Sequence, residues 1–549
     1  MTQDDTGVEV YDTIFAFEES PVTAGLLWAG SDDGLLHLSR DNGKTWTKIT
    51  PTGLPEWSTI NVIELSQKNA GRAIVTAYRY MMNDFAPYVY LTSDFGKTWK
   101  RIADGKNGIP DGDYTRVVRE DPDRPGLLYA GTEHGMYISF DEGAHWQRFQ
   151  QNLPATPIMD LKVYRKNLIV ATEGRAFWIV DALPVVQQLK AGLESTAAVL
   201  FKPADAYRQG GPAPTFYYWF KDQPAAPVTL EVKDAAGKVV YTATAQPGAG
   251  TALQAPPPIA PAAPAFGGGR GGRGGGRGGG ADAPAAAEAG AAPAQPPAEG
   301  AQQPPAGRGG GGGGRGRGGF GAGGTTVSAQ QGLNQVTWNP RLDSPFTVPP
   351  RIVMWGGGGG RGGGPKAAPG TYTVKLSSGS WSQEQAFRLS SDPRLPPMTE
   401  ADGAEQLKMA MDIGNQIKAL YDTLAKLRDA KQQATQAAEK SGASSPLTAA
   451  AQKLKQQLEG VEGDITQLKG EAGQDALNFP GRIDNQWVAL YGNIVQLERR
   501  VNKSVKERYT DLRPMTDDLM ERAMGVLKAD VDAFNAVATK NGGTAIVVK

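Results

Sequence analysis

Ser39-Arg40-Asp41-Asn42-Gly43-Lys44-Thr45-Trp46 recurs as Thr92-Ser93-Asp94-Phe95-Gly96-Lys97-Thr98-Trp99 and again as Ser139-Phe140-Asp141-Glu142-Gly143-Ala144-His145-Trp146. The three tryptophans stand 53 and 47 residues apart. Each copy follows a strand-like run, Gly34–Leu38, Pro87–Leu91 or Gly135–Ile138, and precedes another that starts at the tryptophan. The box therefore reads as a hairpin turn: its aspartate accepts backbone N–H groups, its glycine supplies a positive φ and its tryptophan packs beneath.

A repeat of about 50 residues with four short strands is the signature of a β-propeller blade. The expected strands are 13–20, 26–32, 34–40 and 45–50 in the first blade and 58–66, 72–81, 87–93 and 98–103 in the second. Those of the third are 114–121, 126–133, 135–140 and 145–149. A fourth unit, 158–165, 168–172 and 176–181, stops without a box. About three and a half blades, spanning 1–190, cannot close a ring and leave two raw sheet edges. The chain is then the C-terminal part of a longer protein, the favoured expectation, or it closes with a second copy.

Beyond this segment the periods change. Longer alternating strands at 215–220, 228–232, 238–241, 334–338, 370–376 and 381–389 predict an immunoglobulin-like β-sandwich over 195–396. Two Gly-rich tracts, 250–330 and 356–368, interrupt it and read as disordered insertions. Residues 251–330 alone hold 26 of the chain's 71 glycines and 11 of its 39 prolines. From 398 to 540 apolar residues recur at helical spacing in four stripes, one of them Ile483, Trp487, Leu490, Ile494, Leu497, Val501 and Val505. Breakers at Gly442–Pro446, Phe479–Gly481 and Pro514 separate them, predicting a helical hairpin or bundle, a partner surface or core. A length of 549 residues fits three such units.

Composition excludes several functions. Lys+Arg 57 against Asp+Glu 57 leaves no global pull toward nucleic acid or an anionic membrane. Zero cysteines rule out disulfides, thiolate metal sites and a cysteine nucleophile. The three histidines, His37, His134 and His145, assemble neither a zinc trio nor a Ser-His-Asp triad, so no metal and no cofactor is called for. No stretch reads as a membrane span or as a signal peptide. The Arg-Gly tracts with Arg270, Arg273, Arg277, Arg308, Arg315, Arg317 and Arg361 carry few aromatics, so an insertion loop is a better reading than an RNA-binding segment.

The three boxes resemble the Asp box, or bacterial neuraminidase (BNR) repeat, of sialidases, xyloglucanases and sortilin-type propellers. Further stretches, among them Gly53–Asn61, Asp84–Tyr88, Arg116–Pro122, Tyr129–Glu133 and Ala171–Trp178, resemble the C-terminal half of large bacterial proteins labelled sortilin-like or glycosyl hydrolase with BNR repeats. The resemblance implies a propeller followed by a sandwich and a helical tail, and a periplasmic or secreted location. It implies no settled activity, since the box is a fold element. Asp41, Gly43, Trp46, Asp94, Gly96, Trp99, Asp141, Gly143 and Trp146 are accordingly assigned to structure. The sequence departs from the family in having Glu173 where histidine is common.

Ligands of such propellers bind on the face opposite the box turns. Loops between second and third strands place Asp32, Asp33, Arg79, Tyr80, Asp84, Glu133, His134, Glu173 and Arg175 there. Inter-blade loops add Glu56, Trp57, Asp111, Asp113 and Arg116. Trp57, Arg79, Tyr80, Asp113, Arg116, His134 and Arg175 are the expected ligand-binding set, for a peptide or a glycan. A glycosidase would instead need two facing carboxyls, one with a raised pKa. Glu56, Asp84, Glu133 and Glu173 are the candidates, and no motif chooses among them.

Overall fold

The computed structural model describes residues 12–250, 326–350, 352, 364–442, 444–469 and 478–548. Arg270, Arg273, Arg277, Arg308, Arg315, Arg317 and Arg361 lie outside the described residues.

Three four-stranded antiparallel sheets follow one another. They are β1 (Ile14–Glu19), β2 (Leu27–Ser31), β3 (Leu36–Ser39) and β4 (Thr47–Lys48); β5 (Thr59–Leu65), β6 (Ala73–Arg79), β7 (Asp84–Thr92) and β8 (Lys100–Ala103); and β9 (Thr115–Glu120), β10 (Leu128–Thr132), β11 (Met136–Ser139) and β12 (Gln147–Arg148). A fourth sheet has three strands, β13 (Ile158–Tyr164), β14 (Asn167–Thr172) and β15 (Phe177–Val180). Each sheet is ordered as in the sequence, and neighbouring sheets pack face to face through their early strands. The arrangement is consistent with a partial propeller.

Each box closes its hairpin by the same bonds. The hydroxyl of Ser39, Thr92 or Ser139 accepts the N–H of Gly43, Gly96 or Gly143 at 2.8, 3.0 and 2.9 Å and donates to the box aspartate. The aspartate in turn accepts the N–H of Thr45, Thr98 or His145, each at 2.9 Å. The glycine and the residue before it both have positive φ, Phe95 at 64° and Gly96 at 77° in the second box, the backbone of a tight hairpin turn.

The sheets are joined by a repeated interlock. Ile60 seats against Gly30 and Ile158 against Gly131, so closely that a Cβ on either glycine would fall 2.3 or 2.6 Å from the isoleucine. On the box side, the indole N–H of Trp99 donates to the Ile49 carbonyl of the preceding sheet at 2.8 Å, and that of Trp146 to the Ile102 carbonyl at 2.6 Å. Trp46 instead donates within its own turn, to Gly43 O at 3.1 Å. The tryptophan therefore does more than pack beneath the turn: it joins one sheet to the last.

After the short helix α1 (Leu183–Val186), two sheets enclose a second core. One holds β16 (Ala198–Leu200), β18 (Thr215–Phe220) and β21 (Gly332–Thr337); the other holds β17 (Ala206–Tyr207), β19 (Val228–Lys233), β20 (Val239–Ala245), β22 (Gly370–Ser378) and β23 (Trp381–Ser390). Phe216, Tyr218, Val336, Trp338, Tyr372 and Phe387 fill the space between them. Pairing is antiparallel except between β17 and β23. The edges of the expected insertions are packed: Val327 and Ala329 are core residues, Tyr218 donates its hydroxyl to Ser328 O at 2.6 Å, and Ala367 is buried. At residues 326–330 and 364–368 the disordered reading is therefore corrected, because the apolar residues there complete the core.

Helices α2 (Glu400–Ser441), α3 (Pro446–Ile465), α4 (Ile483–Gln496), α5 (Lys503–Gly525) and α6 (Val531–Lys540) form the third core, with a π turn at Val526–Asp530. Thr399 opens α2 with a capping box. Two expectations fail here. Pro514 lies inside α5, on its exposed side, where the buried stripe Leu512, Thr516, Leu519 and Ala523 carries the helix through. The third stripe breaks between Gln496 and Lys503, where Asn502 caps a new helix by accepting Val505 N–H at 3.0 Å. Among the described residues, no helix is long and apolar enough to cross a membrane.

Candidate functional site

Opposite the box turns, the β4–β5, β6–β7 and β10–β11 loops and the start of β9 bring aromatic rings and ion pairs together. Tyr80 stacks on Tyr114 with centroids 5.1 Å apart, Tyr78 lies 5.1 Å from Tyr80, and Phe85 lies 6.2 Å from Tyr114. Trp57 is 43% exposed although large and apolar, and its φ of 64° is in the left-handed region. A bulky residue there carries backbone strain of the kind concentrated at functional sites. Its N–H is held by Asp33 O at 3.1 Å. Met81, Met82 and Phe85, at the β6–β7 turn, are further exposed large apolar residues.

Charged groups surround the rings in closed pairs. Arg79 donates to Glu56 O at 2.8 Å and contacts Asp84 at 3.3 Å, while Asp84 also accepts the hydroxyl of Tyr88 at 2.8 Å. Arg116 pairs with Glu133 at 2.6 Å, and Glu133 accepts the Tyr114 hydroxyl at 2.8 Å. Burial, reinforced by donation to Asp84, pushes the Tyr88 phenol up to about 12. Burial and donation to Glu133 raise that of Tyr114 as well. These tyrosines are hydrogen-bond donors, the opposite of activated nucleophiles.

The remaining expected residues divide by position. Asp113 is buried and holds the His134 N–H and ring at 3.1 Å and the Tyr137 hydroxyl at 2.9 Å, so it anchors the loop that presents the half-exposed His134. Asp32 and Asp33 brace the first sheet, Asp32 accepting Thr13 N–H at 3.0 Å and Asp33 accepting the Ser31 hydroxyl. Asp111 is exposed in the turn before β9. Glu173 and Arg175 lie exposed in the β14–β15 loop, with local contacts such as Trp178 Nε1 to Arg175 O at 2.8 Å. Sequence reasoning missed Tyr78, Tyr114 and Phe85; the recurrence of aromatics around Arg79 and Arg116 was the available signal. It also left the box hydroxyls Ser39, Thr92 and Ser139 out of the structural set, although they begin every copy.

A cleft of about 230 Å³ opens instead on the box side, lined by residues that include Glu64, Lys68, Arg72, Glu120 and Glu142. Arg72 bridges Glu120 and Glu142, both at 3.0 Å, and Arg119 binds Glu64 at 2.8 Å. The cleft's glutamates Glu64, Glu120 and Glu142 are already engaged by arginines, whereas the opposite face leaves aromatic surface open, so we place the candidate site on the latter.

The box carboxylates carry a pH signature. Hydrogen bonds from the Thr98 hydroxyl and N–H hold Asp94 down at about 2 against the ordinary 3.8, and the Thr45 hydroxyl and N–H likewise lower Asp41. Burial opposes the shift at Asp141, but bonds from His145 still lower it. Carboxyls depressed in the fold stabilise it fully above their unfolded value and stop doing so as pH falls through the folded one. Melting temperature should therefore drop between about pH 4 and 2, and less steeply in a Thr45→Val/Thr98→Val variant. Parallel curves for the two proteins across that window would refute the assignment.

No protein-family model matches the chain, and no curated protein matches it. Among solved structures it is similar to YCF48 from Cyanidioschyzon merolae at 16% identity and TM-score 0.24, covering 32% of this chain and 54% of that one. It is similar to YCF48 bound to D1 peptide at 16% identity and TM-score 0.24, covering 39% and 64%. It is similar to a GH74 xyloglucanase from Xanthomonas campestris at 17% identity and TM-score 0.25, covering 43% of this chain and 36% of that one. The chain thus spans between about a third and two thirds of these β-propeller proteins.

Proposed function

We propose that this chain is a ligand-binding protein of the sortilin-like Asp-box class, located outside the cytoplasm. In this reading its partial propeller precedes an immunoglobulin-like sandwich and a helical bundle. The ligand, a peptide or a glycan, binds on the face opposite the boxes. The aromatic cluster carries the reading: Tyr80 stacks on Tyr114, and Phe85, 43% exposed, lies 6.2 Å from that ring, surface of the kind that anchors a partner. Such rings accept either an aromatic or aliphatic peptide side chain or the face of a sugar, and the flanking Arg79 and Arg116 pairs fix orientation. Asp84 and Glu133 are each already engaged by an arginine and a tyrosine, which supports binding over glycoside hydrolysis.

Peptide and oligosaccharide arrays, followed by titration of the hits, test this. Trp57→Ala or Phe85→Ala should weaken binding at least tenfold, about 1.4 kcal/mol, while changing stability by roughly 0.5 kcal/mol or less. Thr92→Val should do the reverse, costing about 1–3 kcal/mol of stability by stranding the Gly96 N–H, with affinity unchanged in the folded protein. Binding lost in the box variant and kept in the aromatic ones would move the site to the other face. Turnover of aryl glycosides with a bell-shaped pH profile that Glu133→Gln or Glu56→Gln abolishes would replace the binding reading with a hydrolase.

A further inference from the structure

Beyond α6 the chain reads Asn541-Gly542-Gly543-Thr544-Ala545-Ile546-Val547-Val548. Asn-Gly-Gly ends the helix, and the three branched residues at the end of the stretch suit a β-strand. No strand pairs with them among the described residues. Gly542 has a φ of 68°, and Gly543 donates its N–H back to Ala538 O at 2.8 Å, which turns the chain onto the bundle. Burial then alternates with the period of an extended chain: Ile546 is 4% exposed and joins the helical core, Val547 is 61% exposed, and Val548 packs back against the core.

Two carboxamides stand in for the absent neighbouring strands. Asn535 of α6 accepts the Ile546 N–H at 2.7 Å and donates to the Ile546 carbonyl at 2.9 Å. Gln433 of α2 does the same for Val547, at 3.0 Å in both directions, and its amide is steered by Asp429, which accepts from it at 2.9 Å. An antiparallel neighbour satisfies a residue by this same exchange of both main-chain bonds. Successive residues of a strand turn those groups to opposite edges, and here Ile546 is held by α6 and Val547 by α2.

We infer that the groove between α2 and α6 is a peptide-binding site, that its ligand is an extended segment of another protein with branched aliphatic residues two positions apart, and that residues 544–548 occupy it in cis until displaced. Bonds to the main chain supply affinity whatever the sequence, and the pocket filled by Ile546 supplies selection. The strap is also built to leave. Ile546 is its one fully buried residue, while Thr544, Ala545 and Val547 are exposed. A segment ordered for one buried side chain and the bonds to two carboxamides sits at the low-stability end of a molecule, where local opening does not need the rest to unfold. This site belongs to the helical bundle and does not depend on the aromatic face of the propeller sheets.

The probe is a fluorescein-labelled peptide of residues 543–548, titrated by anisotropy into the full 549-residue chain carrying Ile546→Asp, which empties the pocket. The peptide should bind this variant at least about tenfold more tightly than the wild-type chain, whose own strap competes at a local concentration on the order of millimolar. Adding Asn535→Leu should weaken that binding about tenfold or more, and a peptide that itself carries Ile546→Asp should not bind. In the wild-type chain the amide hydrogens of Ile546 and Val547 should exchange at least about tenfold faster than those of Leu490 and Tyr491 inside α4. Equal affinity of the peptide for the two chains, binding indifferent to Asn535→Leu, or exchange at the rate of α4 would each overturn the inference. So would no binding by an Ile546→Asp chain that keeps its helical circular dichroism; should that chain lose its helices, the exchange rates decide. A concentration-dependent dimer of the wild-type chain that Ile546→Asp abolishes would also overturn it, because the occupant would then be a second copy.

Discussion

Glu498→Ala should cost about 3–5 kcal/mol, because it removes one charge and strands two others where water does not reach. Glu498 lies in the link between α4 and α5 and is 6% exposed. Its carboxylate meets Lys366 at 3.2 Å and Arg208 at 3.5 Å, both of them buried. Arg208 continues to Gln406 of α2 at 2.8 Å, and Gln406 donates to the carbonyls of Leu497 and Arg499 at 3.0 and 3.2 Å. Burial depresses the pKa of Arg208 and of Lys366, the direction expected of cations short of solvent. The network joins the sandwich to the helices, so denaturant unfolding of the whole chain should show the loss in both β and helical signals. Lys366→Met in the Glu498→Ala background should recover part of it, since one stranded cation is gone. A loss under about 1 kcal/mol would mean that water compensates the pair.

Asp121→Ala should be nearly as severe, about 3–4 kcal/mol, from several hydrogen bonds lost at one buried carboxylate. Asp121 accepts the N–H groups of Asp123 and Arg124 at 2.9 Å, the Tyr129 hydroxyl at 2.8 Å and the Gln187 amide at 2.9 Å. It therefore closes the β9–β10 turn, satisfies a wholly buried phenol and ties α1 to the third sheet. Tyr129→Phe added to Asp121→Ala should cost less than the two single losses combined, because deleting both partners leaves no orphan. Additive losses by thermal melting would show that Tyr129 had found another partner.

The strands and boxes of the first 181 residues were legible in the sequence because each signal there is local. β5, β9 and β13 fall inside the ranges expected from alternation, and the turn is built from a box hydroxyl, an aspartate and a positive-φ pair within five residues of one another. What failed depends on residues distant in the chain. Pro514 reads as a stop, yet its helix is held by packing on three other helices. The break after Gln496 follows from the buried Glu498, whose partners Arg208 and Lys366 are far away in sequence. In the candidate site, Arg79, Tyr80 and Arg116 were readable from loop position. Tyr114 was not, because its role arises only when Tyr80 from another sheet stacks on it. Asp113 read as a ligand-binding residue of an inter-blade loop, and only the fold shows it buried on the Tyr137 hydroxyl and the His134 N–H.

The backward reach of Trp99 and Trp146 also sets an order in time. A ribosome that has just made β4, two residues long, has not yet made the indole that will bind Ile49. That group arrives only 50 residues later. Each sheet consequently leaves the ribosome with its outer strand unsecured and is locked when its successor's turn closes, so consolidation travels one repeat behind synthesis. The third sheet has no later box to wait for, since β13–β15 carry none among the described residues, and its turn is secured as soon as the Gln150 side chain, just past β12, accepts Met136 N–H at 3.1 Å.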